Sequence, residues 1–93
     1  MTNAQELVTK RKEAYEYIKS IVCSKRNMPT SPTDVQLADA LGGTIELTDS
    51  LRLLKEGTHN QTNRLVIAFK REFKDEILES TIDAYLITPF KDA

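Results

Sequence analysis

The chain has 93 residues, 40% apolar and 29% charged, which suits one ordinary globular domain over residues 1–93 and leaves no room for a second core. Such a chain buries roughly 60–65% of its unfolded surface, enough for a fold without metal or disulfide staples but not for a deep, water-excluding catalytic cavity. Its 13 Lys and Arg against 14 Asp and Glu give a formal charge of −1, which excludes a uniformly basic nucleic-acid coat and an acidic disordered tail.

The opening Met-Thr-Asn-Ala-Gln-Glu has no basic stretch followed by an apolar one, so no secretory signal is expected and the cytoplasm is the expected compartment. From about Ala4 to Lys25 the chain predicts a helix. Leu7, Ala14, Tyr15, Ile18, Ile21 and Val22 recur at helical spacings, Lys25 and Arg26 close it where cations are favoured, and Asn27 suits a left-handed cap. Cys23 falls opposite the apolar stripe and reads as an inert thiol. Met28-Pro29-Thr30-Ser31-Pro32-Thr33-Asp34 interrupts the helix, because two prolines three apart cannot lie inside one. Ser31-Pro32-Thr33-Asp34 then reads as a start signal, with a hydroxyl cap, proline in the first turn and an acid after it. The short helix it opens runs over about Pro32 to Leu41, with Leu37, Ala38 and Leu41 inward, and Gly42-Gly43 ends it. Thr44 caps a third helix reaching Glu56, with Leu47, Leu51 and Leu54 as its stripe and Gly57 as its stop. Residues 1–57 thus form a three-helix core of helix-turn-helix pattern.

His59 lies in a polar Thr-His-Asn-Gln-Thr-Asn run and reads as a solvated loop residue. With one Cys and one His, neither an internal disulfide nor a Cys/His zinc site can form, and no metal, cofactor or catalytic residue is expected. Residues 58–93 read two ways, as a wing or C-terminal dimerisation element. Leu65–Phe69 is an apolar run rich in β-branched and aromatic residues, five residues long and far short of a membrane span. A hairpin of Arg64–Phe73 and Glu79–Thr88, turning near Lys74-Asp75, would set Lys70 opposite Glu79. Leu65, Phe69, Phe73 and Ile77 at four-residue steps fit a long fourth helix equally well. The expectation is an α+β fold, mostly α, with a C-terminal β-hairpin wing; an all-α chain is the alternative.

Pro32-Thr33-Asp34-Val35-Gln36-Leu37-Ala38-Asp39-Ala40-Leu41-Gly42, followed by Leu47, Leu51, Leu54 and Gly57, resembles the winged helix-turn-helix domain of LexA-type repressors. Pro29-Thr30, Leu41-Gly42-Gly43 and Leu54-Lys55-Glu56 carry a second likeness, to the N-terminal domain of KfrA-like plasmid proteins. Both resemblances imply a DNA-binding protein, and the first implies a transcriptional regulator with the third helix in the major groove of double-stranded DNA. Two departures stand out: the turn is about two residues shorter than in the repressors, and Glu46 and Asp49 sit on the reading helix.

With the leucines inward, Thr44, Thr48, Arg52 and Lys55 are the candidate contacts of that helix with bases and phosphates. Lys25, Arg26, Arg64, Lys70 and Arg71 are the candidate phosphate contacts beside it, the last three on the wing. Charge is uneven along the chain. Residues 1–31 hold six basic and three acidic side chains, residues 32–58 two and five, residues 59–93 five and six. The segment destined for the groove is therefore the acidic one. Dimerisation would double the phosphate contacts. The competing expectation is a phage- or plasmid-type inhibitor or adaptor that uses the same scaffold to bind a protein, with Ile45, Val66, Ile67, Leu86 and Ile87 as interface.

Overall fold

Ala14, Tyr15, Ile18 and Val22 are buried along one side of a 23-residue helix, α1 (Ala4–Arg26). The computed structural model describes residues 3–29 and 31–91, so Thr30, within the proline-rich interruption, lies outside the described residues. The Asn3 side chain caps α1 by accepting from the Glu6 amide at 2.8 Å, and Asn27 closes it in the left-handed conformation, φ 54°. A second helix, α2 (Asp34–Ala40), starts two residues later than expected. Its cap is Thr33, not Ser31. Thr33 Oγ1 accepts from the Gln36 amide at 3.1 Å, and Gln36 Oε1 accepts from the Thr33 amide at 2.9 Å. That reciprocal box satisfies two orphan donors where a lone serine satisfies one.

The third helix, α3 (Ile45–Glu56), is capped by Thr44 and ended by Gly57, as its sequence predicts. Gly57 has φ 79° and lies so close to α1 that an added Cβ would stand 2.8 Å from Val8 Cγ1. Glycine is required there for both reasons. Leu47, Leu51 and Leu54 are buried, as are Leu37 and Ala38 of α2, and α3 packs against both α1 and α2. Ser50, also buried, meets Thr62 Oγ1 at 3.2 Å. Thr62 in turn accepts from the Leu65 amide and caps the next helix.

That helix, α4 (Asn63–Phe73), and α5 (Glu79–Leu86) replace the expected hairpin. The β-hairpin wing is absent: the described residues contain no strand, and 73% of them are helical. Ile67 explains why. In a strand it would share a face with Leu65 and Phe69; on a helix it falls opposite them. Leu65, Phe69 and Phe73 are fully buried and Ile67 is 59% exposed. Burying three large side chains at four-residue steps outweighs the β preference of Val66 and Ile67, since such propensity is weak beside packing. The all-α alternative fits, with the last stretch divided into two helices by Lys74–Leu78 and followed by a 3-10 turn, Thr88–Phe90. Lys70 still meets Glu79, at 3.1 Å, but from one helix to another. Arg64, Lys70 and Arg71 accordingly lie on α4 and not on a wing.

The second half of the chain completes the same core as the first. Phe69 stacks obliquely on Phe73 and Tyr17, Ile82 and Leu86 of α5 join the same core, and Tyr85 of α5 stacks on Tyr17 of α1. Gln61 ties the α3–α4 loop to the end of α5 by donating to the Leu86 carbonyl. Among the described residues no helix is long and apolar enough to cross a membrane.

Candidate macromolecular interface

The turn Leu41–Thr44 reverses the chain in four residues, using positive φ at Gly42 and Gly43. It leaves the leading edge of α3 outermost. Leu47, Ser50, Leu51 and Leu54 point into the core, so Ile45, Glu46, Asp49, Arg52, Lys55 and Glu56 face water. Ile45 is 81% exposed, and α2 adds Val35 beside it, 58% exposed. The presence of Ile45 in the first turn was legible from the leucine phase. Val35 is less legible, because it lies opposite Leu37 but only three residues from the buried Ala38.

Each residue expected to contact DNA has a definite place. Thr44 Oγ1 accepts from the Leu47 amide at 3.1 Å, and Thr48 Oγ1 donates to the Thr44 carbonyl at 3.2 Å. Both hydroxyls serve the helix start. Arg52 lies between Asp49 at 3.9 Å and Glu56 at 3.5 Å. Lys55 reaches back to Asp34 of α2 at 3.1 Å, and Arg64 of α4 meets Glu46 at 2.6 Å. Arg26 grips Glu72 at 3.3 Å and Glu76 at 3.0 Å while its guanidinium lies 4.5 Å from the centre of the Phe73 ring. Lys70 bridges Glu79 and Asp83 of α5, the latter at 2.7 Å. Hydrogen bonds donated to these carboxylates hold the Arg26 and Lys70 pKa values above their ordinary ranges. Only Lys25 and Arg71 of the nine make neither an ion pair nor a capping bond among the described residues.

The candidates are also dispersed. Thr44, Thr48, Arg52 and Lys55 share α3 with Arg64 and Arg71 alongside, whereas Lys25 and Arg26 end α1 and Lys70 faces α5. Exposed ion pairs are individually weak, about 0–1 kcal/mol, so a phosphate could compete for their cations. The carboxylates would nevertheless stay within a few ångströms of that phosphate, unfavourably.

Two shallow grooves flank the Thr44–Ile45 ridge. Val35, Asp39, Thr48 and Asp49 line one, between α2 and α3. Leu47, Arg64, Ile67 and Arg71 line the other, between α3 and α4, and Thr44 belongs to both. The first is acidic and apolar, the second basic and apolar. His59 is exposed beside Thr58, and the Cys23 thiol is half-buried against the Pro29 carbonyl. No three His, Cys, Asp or Glu among the described residues gather as a metal site.

No family model, curated protein or solved structure matches this chain.

Proposed function

We propose that this chain is a non-catalytic protein-docking module. Its α2–α3 edge engages a basic, apolar-bearing surface of a partner protein. One observation carries this: the outward face of α3 presents Ile45, Glu46, Asp49 and Glu56 beside its two cations, with Arg52 held between two of those acids and Lys55 on Asp34. Affinity for DNA comes mostly from neutralised phosphates. Five of the seven basic candidates are instead matched to acids within the chain. An exposed isoleucine beside an exposed valine, rimmed by carboxylates, suits a partner with apolar side chains and Lys or Arg at its rim. The cytoplasm is the compartment this proposal assumes.

Reading of duplex DNA by α3 is the second reading. The helix-turn-helix succession of α2 and α3 favours it, as do Lys25 and Arg71, which make no ion pair among the described residues. Two probes separate the readings: an amphipathic Lys/Leu helical peptide and a random-sequence DNA duplex, each titrated in low salt and followed by fluorescence anisotropy. The docking module binds the peptide, loses it on Ile45→Asp, and ignores the duplex. Duplex binding that falls steeply with salt and weakens on Arg52→Ala would overturn the proposal.

A further inference from the structure

The chemistry demanded of the partner is present on the chain itself. Along α4, Arg64, Ile67 and Arg71 recur at spacings of three and four, so they share one outward face, basic with an exposed isoleucine at its centre. Resting on the docking function proposed above, we infer that the α2–α3 edge takes a second copy of this chain, forming a two-fold dimer.

Position decides between a closed pair and a chain of molecules. Acidic and basic surfaces on opposite sides would join head to tail and grow without closing. Here they adjoin, because Thr44 lines both grooves and Arg64 touches Glu46 across the ridge between them. A two-fold axis beside Ile45 lays Asp39 and Asp49 of one copy against the partner's Arg71, with Arg64 still held by Glu46 of its own chain, and repeats the match in reverse. Every complementary contact then occurs twice. Ile45, Val35 and Ile67, the three exposed apolar side chains of this corner, come under cover together. Arg71 makes no ion pair within the chain among the described residues, so its charge is available to the partner. The grooves are shallow and the apolar patch small, so the expected affinity is modest, a Kd of roughly 1–100 μM, weakening as salt screens the rim.

Sedimentation equilibrium of the full chain over roughly 1–500 μM tests this. The wild type is expected to show a monomer–dimer equilibrium. Asp49→Lys alone and Arg71→Glu alone each place like charges opposite one another twice, raising Kd by about tenfold or more. Mixing those two variants restores dimers, because in the mixed pair Lys at position 49 faces Glu at position 71 and the other contact is native. The double variant D49K/R71E likewise restores self-association, and Ile45→Asp abolishes it. All three positions are exposed, and circular dichroism melts check that each variant folds; Arg71→Ser serves if the glutamate variant does not. A wild type that stays monomeric throughout overturns the dimer. So does a dimer indifferent to these substitutions, or one that mixing does not restore. A monomer that still binds the Lys/Leu peptide overturns only the two-fold pairing, whereas salt-steep duplex binding overturns the docking function beneath it.

Discussion

Tyr15 illustrates how much of the residue-scale chemistry serves structure. Its ring is buried, its hydroxyl donates to Asp34 Oδ1 at 3.4 Å, and the other oxygen of Asp34 receives Lys55 at 3.1 Å. Burial, and then the Asp34 charge, push the phenol from its ordinary 10 up to about 12. The folded state therefore holds this proton more tightly than the unfolded one. The resulting stability is fully present below pH 10 and is lost as pH rises through 12. In urea unfolding, the stability advantage of wild type over Tyr15→Phe is expected to shrink across that window. A constant difference would show that the phenol does not titrate late. Thr44 poses a related test, since its hydroxyl caps α3 and is not held out for a ligand. Thr44→Ala is expected to cost about 1 kcal/mol of stability, read from the shift in urea midpoint. No loss would mean that Thr44 is a surface contact and not a cap.

At the scale of elements, α1 and α3 were legible almost to the residue, because their apolar spacing and terminal caps agree. Leu47, Leu51 and Leu54 fix which face of α3 is buried, and Thr44 and Gly57 fix where it begins and ends. α2 was legible with its start displaced, since Ser31 and Thr33 offer the same hydroxyl and only the reciprocal bond to Gln36 separates them. The C-terminal third was ambiguous for a physical reason. Five consecutive apolar residues contain both periods, and the deciding contacts, Phe69 and Phe73 against Tyr17 and the rest of the core, are distant in sequence. The candidate interface was legible in part. Its acidity showed in the sequence, as did the Lys70–Glu79 pair, though as a cross-strand contact; the matching of Arg26 and Arg64 to acids on other helices, and of Lys70 to Asp83, required the fold. Phe69→Ala should cost about 3–5 kcal/mol in urea unfolding, as deletion of a fully buried ring does. A cost below about 1 kcal/mol would place Phe69 outside the core, contrary to a helical α4.

For the whole molecule, a formal charge of −1 describes no surface in particular. Folding ties most candidate cations into bridges between helices, leaving an acidic, apolar edge on α2 and α3 beside a basic, apolar face on α4. The central claim is that the outward edge of α3 meets protein and does not read DNA. Residue-resolved NMR of the full chain, titrated with a random-sequence DNA duplex in low-salt buffer, tests this most directly. The amide signals of Thr44, Ile45, Thr48, Asp49 and Arg52 are predicted to stay in place. Shifts concentrated at those residues and reversed by added salt would contradict it.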